Sequence, residues 1–160
     1  MKVVNSSIPR DLYHKIHKIL PIVCVDAVVV DSSKKRFLFV KRKNEPEKGK
    51  WWFPGGRIFK NEKLVDAILR KIEQEIGIPG KIKKQLGTYE YFSKKGYFKD
   101  TNSHMISMVY LIEIDVSRKV IPDWQSSSSK WFRKINPKWH PYLKQYLKQV
   151  GFKEGYESHK

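Results

Sequence analysis

At 160 residues, 40% hydrophobic and 13% aromatic, the chain suits one folded domain with a core and is too short for two full ones. This composition excludes a disordered tail, and no apolar run approaches the ~20 residues that a membrane helix needs. A net charge of +17, from 33 basic against 16 acidic residues, points to anionic partners, yet the lysines run from Lys2 to Lys160 without forming one stripe. General lysine enrichment accounts for most of that charge, so nucleic acid is permitted as a partner but not favoured. Cys24 is the only cysteine, which rules out an intramolecular disulfide and a cysteine-based zinc site. With no apolar stretch in Met1 to Leu20 resembling a secretory signal, the expectation is a cytoplasmic protein without membrane attachment.

In chain order, residues 1–20 predict an N-terminal arm with a short helix from Asp11 to Leu20, on which Leu12, Ile16, Ile19 and Leu20 share one face. His14 and His17 fall on its polar face and are expected in solvent. Ile22 to Val30 and Arg36 to Val40 predict two strands joined by the turn Asp31-Ser32-Ser33. A polar loop, Lys41 to Lys50, leads to the short strand Trp51-Trp52-Phe53 and the turn Pro54-Gly55-Gly56. Helical spacing of Leu64, Val65, Ile68, Leu69, Ile72 and Ile76 predicts a helix over Glu62 to Ile76, with Asn61 as N-cap and Gly77 as stop. Leu86 to Phe92 and Met105 to Val116 predict strands, Gln125 to Lys130 a serine-rich loop and Trp131-Phe132 a short strand. Pro141 to Val150 predicts a last amphipathic helix, followed by a frayed tail at 152–160. The order β-β-β-α-β-β-β-α implies an α/β (α+β) fold with a mixed sheet between helices.

The chemistry concentrates between Gly55 and Ile78. Two glycines after an apolar strand allow a sharp turn and close approach to a ligand. Glu75, near the end of the helix, offers a carboxylate to a hard cation such as Mg²⁺. Arg57 leaves the loop where its fork of donors can grip an anionic oxygen. The combination suits metal-assisted substitution at a phosphorylated substrate.

Gly56, Glu62, Arg70, Ile72, Glu75, Gly77 and Ile78 resemble the Nudix hydrolase box: glycine, five residues, glutamate, seven residues, then Arg-Glu-aliphatic-any-Glu-Glu-any-Gly-aliphatic. An ordinary amphipathic helix after a glycine turn explains the apolar face but not these seven positions together. The resemblance implies a Nudix-like αβα sandwich spanning 1–160 as a single domain. Two acids of the box are missing: Lys71 and Gln74 stand where glutamates are usual. Glu73 cannot replace Gln74, because one residue rotates a helical side chain by ~100°.

The approach to the box, Lys41-Arg42-Lys43-Asn44-Glu45-Pro46 and Gly49 to Arg57, is most similar to the GDP-mannose mannosyl hydrolase subgroup, which has the same kind of depletion. That resemblance implies one Mg²⁺, with Mn²⁺ as alternative, held by Gly55, Glu75 and Gln125. It also implies that Asp26 contacts the sugar and that Arg42 and Arg57 neutralise the departing diphosphate. The expected substrate is a nucleotide sugar of the GDP-mannose type, attacked by water at the anomeric carbon, and the expected assembly is a homodimer.

The general base stays open. Where the subgroup has a histidine after the late-loop glutamine, this chain has Ser126. His104 is the substitute taken here as catalytic, with Asp123 and Glu90 as further candidates, while His140 and His159 are discounted by position. Trp51, Trp52, Tyr89, Tyr91 and Trp124 are candidates to stack on a nucleobase, Trp124 first. Arg70 is expected to orient a carboxylate, and Glu62 to act structurally at the helix start. Two alternatives accompany the glycosyl route: cleavage of the P–O–P bond on the same fold, and a weakly active nucleotide- or RNA-binding module.

Overall fold

The computed structural model describes residues 1–117 and 126–157, with side chains of Ser126 and Ser127 excepted. Its centre is β1 (Ile22–Asp31), buried at every position except Val23. A β-branched run of this kind suits a strand covered on both faces. β1 pairs in parallel with β6 (Ser103–Ile114), from Ile22 opposite Met105 to Asp31 opposite Ile114. It pairs antiparallel with β2 (Phe37–Arg42) and, nearer its start, with β4 (Gly55–Arg57). β3 (Trp51–Trp52) and β7 (Ser126–Phe132) add to β2, and β5 (Gly80–Ser93) adds antiparallel to β6. The result is a seven-stranded mixed sheet.

Helix α2 (Leu64–Ile76) covers one face, where Ile68, Ile72 and Ile76 meet Val25, Ala27, Val29 and Ile112. Helix α3 (Pro141–Gln149) covers the other, where Tyr142, Leu143, Tyr146 and Leu147 meet Val28, Val30, Phe37 and Phe39. Alternate residues of β1 thus feed two cores, giving the expected αβα sandwich. Gly77 closes α2 in the left-handed conformation, φ 74°, donating its amide to the Glu73 carbonyl, as its position in the sequence indicates.

Several boundaries differ from expectation. α2 begins at Leu64, with Lys63 rather than Asn61 at the cap. Asn61 instead has φ 67° and donates its amide to the Lys2 carbonyl, which ties the N-terminal arm down. Gly55–Arg57 is a strand on β1 rather than a turn, and β5 starts at Gly80 with two register shifts before Thr88. Ser126 to Lys130 joins β7 because the open edge of β2 supplies backbone partners, overriding the serines' weak strand preference. The tail does not fray over 152–157: Phe152 packs on Phe37 at 4.7 Å, and Glu157 accepts the amides of Arg133 and Lys134. Among the described residues no helix is long and apolar enough to cross a membrane.

Helix α1 (Arg10–Ile19) is pinned to the loop after β5. Asp100 receives His14 Nε2 at 2.7 Å and Lys18 Nζ at 2.7 Å, which hold its carboxyl at about 2. His17 stacks on Tyr97 and meets Tyr13 edge-on. Both histidines expected in solvent are therefore anchors, because the helix's aromatic partners come from a distant loop.

Candidate active site

A cavity of about 690 Å³ opens beside β4, between the box helix, α1 and the start of β6. Close backbone approach builds its floor. A Cβ at Gly55 would lie 2.2 Å from Asp26 Oδ1, so only glycine lets β4 lie against β1 here. The Gly55 amide can then donate to Glu75 Oε2 at 3.1 Å, joining strand to helix.

One wall is an ordered network around Glu62. Its carboxylate accepts the Phe59 amide at 2.8 Å and both Nε and Nη2 of Arg70, at 2.6 and 2.8 Å. The Arg70 hydrogen bonds hold the Glu62 carboxyl below its ordinary range. Arg70 also donates to Gln74 Oε1 at 3.2 Å and to the Arg57 carbonyl at 3.3 Å, and its guanidinium lies 3.9 Å from the Phe59 ring centroid. Glu62 and Arg70 thus set the loop that presents Arg57.

Lys71 and Glu75 form the second feature. Lys71 Nζ lies 2.9 Å from Glu75 Oε1, and the side chains are only 7% and 6% exposed. One carboxylate oxygen therefore faces a fixed ammonium and the other an amide. At an effective dielectric of ~20, two unit charges ~4 Å apart interact by about 4 kcal/mol, and a divalent ion beside an ammonium doubles that repulsion. Among the described residues no group of three His, Cys, Asp or Glu comes together that could hold a metal ion. Among the described residues, the Glu75 carboxylate, paired with Lys71, fits an internal ammonium and not a divalent cation. Gln125, named with Gly55 and Glu75 as a metal ligand, lies outside the described residues, as do Asp123 and Trp124.

Asp26 is buried in the cavity floor. Tyr142 donates its hydroxyl to Oδ2 at 2.6 Å, and burial raises the carboxyl despite this bond, one from Ser107, and the pull of Arg42 and Lys71. The native state therefore binds a proton more readily than the unfolded chain, whose value is near 3.8, and ionised Asp26 costs stability above that pH. Asp26→Asn is expected to melt above wild type at pH 7, with the advantage vanishing as pH falls below the ordinary carboxylate value. Thermal unfolding at pH 7 and pH 3.5 checks the sign.

Arg42 and Arg57 both line the cavity. Arg42 Nε donates to the Pro46 carbonyl at 2.8 Å, and Arg57 lies over the rings of Tyr13 and Phe59, 5.8 and 5.4 Å from their centroids. Burial pushes the neighbouring Cys24 thiol up to about 12 even though Arg42, Arg57 and Lys71 all pull it down. Three cations, Arg42, Arg57 and Lys71, line this one cavity, although they arrive from β2, β4 and α2.

His104 also lines the cavity; its Nε2 lies 2.9 Å from Glu90 Oε1 and its ring stacks on Phe92 at 4.4 Å. Glu90 and His104 are joined because their strands pair antiparallel. Of the aromatics proposed for a nucleobase, Trp52 and Tyr91 are core residues, Tyr91 donating to Glu47 at 2.7 Å. Tyr89 stacks on Tyr142 at 4.2 Å and Trp51 packs on Phe132. Trp52 nonetheless lines the cavity, and Tyr13, His17 and Tyr97 reach it as well. Nothing local in the sequence marks the last three, since α1 and the loop meet only through the fold.

The NUDIX domain model matches residues 20–150. The low-salt glycan biosynthesis protein Agl8 of Haloferax volcanii is 34% identical over 144 residues, covering 89% of this chain and 90% of that protein. An ADP-ribose pyrophosphatase of Methanocaldococcus jannaschii is 33% identical over 105 residues, 66% of this chain and 58% of that protein. Among solved structures, a MutT NUDIX hydrolase from Burkholderia pseudomallei superposes with a TM-score of 0.66 at 26% identity, over 81% of this chain and 98% of that one. The NUDIX domain of Shewanella oneidensis NrtR, solved with ADP ribose, shares the fold at a TM-score of 0.58 and 22% identity, over 88% of each chain. With a box that departs at Lys71 and Gln74 and a fold that does not depart, the chain belongs to the NUDIX domain family.

Proposed function

We propose that this chain hydrolyses a nucleoside diphosphate sugar of the GDP-mannose type, releasing nucleoside diphosphate and free sugar. The observation that carries this reading is the convergence of Arg42, Arg57 and Lys71 on one cavity whose box has lost two acids. Cations placed in advance stabilise a diphosphate that gains charge as it departs. The water oxygen bonds to the anomeric carbon, the carbon–oxygen bond to the diphosphate breaks, and its electron pair stays on the phosphate oxygen. Asp26 orients the sugar from the floor. His104 takes the water's proton, on Nδ1 because Glu90 holds Nε2, and such a base adds ~10²–10⁴-fold. The single Mg²⁺ or Mn²⁺ has no step here, since the Glu75 carboxylate faces Lys71. A homodimer remains part of the proposal, to be read from sedimentation equilibrium.

A second reading, cleavage of the P–O–P bond, is favoured by the relative named ADP-ribose pyrophosphatase. A panel of nucleotide sugars separates the two by products. GDP with free mannose supports the glycosyl route; GMP with mannose 1-phosphate replaces it with the second reading. Binding of GDP or RNA without turnover of any panel member would support the binding module instead.

A further inference from the structure

We infer that Lys71 is this chain's built-in cation: its ammonium takes the place beside Glu75 that a divalent ion would need, and grips the diphosphate itself. This rests on the reading that the substrate carries a diphosphate, but not on which bond breaks.

Four observations support it. Lys71 lies one helical turn before Glu75, so the two side chains meet on one face of α2, and both are buried. Burial excludes a floppy surface lysine, because an ammonium leaves water only for a counter-charge or an anion. The second Glu75 oxygen is committed to the Gly55 amide. Gln74, where another acid is usual, is neutral and bonded to Arg70, so no second carboxylate draws a metal to this end of the helix.

Gly56 completes the cradle. It has φ 154°, and a Cβ there would lie 2.9 Å from Lys71 Cε and 3.3 Å from Nζ. The glycine of the box therefore admits the lysine stem under the β4 backbone, besides making the turn. An ammonium has three donors, and Glu75 takes one. Arg42 and Arg57 flank the same cavity, so the diphosphate would meet two guanidinium forks and one point charge.

The test uses the full chain, with GDP and Mn²⁺ as separate probes. Calorimetry in EDTA should show GDP binding to wild type. Lys71→Met/Glu75→Met, which keeps apolar volume in place of the ion pair, should melt near wild type yet bind GDP at least ~10-fold more weakly, the scale of one lost charge-assisted contact. Electron paramagnetic resonance should show no stoichiometric Mn²⁺ on wild type and one ion on Lys71→Glu, whose GDP affinity should then depend on Mn²⁺. Stoichiometric Mn²⁺ on wild type together with loss of GDP binding in EDTA overturns the inference. So does unchanged GDP affinity in the folded double variant. Failure of the proposed reaction reads differently: GDP binding would follow Lys71 as stated while no nucleotide sugar is turned over.

Discussion

Glu75→Gln will destabilise the fold by ~3–5 kcal/mol, the usual cost of leaving a buried charge without its partner. Lys71 is 7% exposed and makes its ion pair with Glu75, so a carboxamide strands the ammonium between α2 and the β4 backbone. The same change weakens the tie from Glu75 to the Gly55 amide, the link between helix and strand. Urea unfolding of the single variant and of Lys71→Met/Glu75→Met separates the terms, because a well-packed apolar pair often equals or exceeds a buried ion pair. The double variant should regain most of the loss. A single-variant cost below ~1 kcal/mol would show that the pair is not buried as described. A double variant no better than the single would assign the loss to packing.

Arg57→Ala is expected to lower kcat by ~10²–10³-fold with little change in KM, as for removal of a donor that matters most where charge develops. Arg57 has its backbone fixed by Arg70 and its guanidinium set between Tyr13 and Phe59, so its position does not depend on substrate. Such preorganisation is what makes a fixed charge effective in a transition state. Arg42→Ala should behave alike, and Arg57→Lys should recover only part, because a point charge cannot reproduce a fork of donors. Steady-state kinetics on the best panel substrate checks this. A loss confined to KM would mean that the arginines bind substrate and transition state equally.

The elements that positioned the box were legible in the sequence because they follow from local chemistry. Ile68, Ile72 and Ile76 recur at helical spacing and Gly77 stops the helix, so α2 and its buried face could be read directly. The β-branched run Ile22 to Val30 likewise declares a central strand. What could not be read depends on contacts between distant segments. His17 becomes part of the cavity wall only because Asp100 draws α1 onto the loop after β5. Ser126 to Lys130 is a strand because β2 has an open edge, not because serines favour one. Lys71 is the instructive residue. It read as a gap in a metal site, and only the fold brings its ammonium to 2.9 Å from Glu75. Its spacing of four residues from Glu75 was visible, but spacing cannot show that both side chains are buried.

The glycosyl route has a consequence that the placement of cations alone does not: water should reach the sugar and not the phosphorus. Hydrolysis of GDP-mannose in ¹⁸O-labelled water tests this most directly, with the products separated and weighed by mass spectrometry. The prediction is ¹⁸O in mannose and none in the nucleotide. Label in GMP or in mannose 1-phosphate, with unlabelled sugar hydroxyl, would contradict the account.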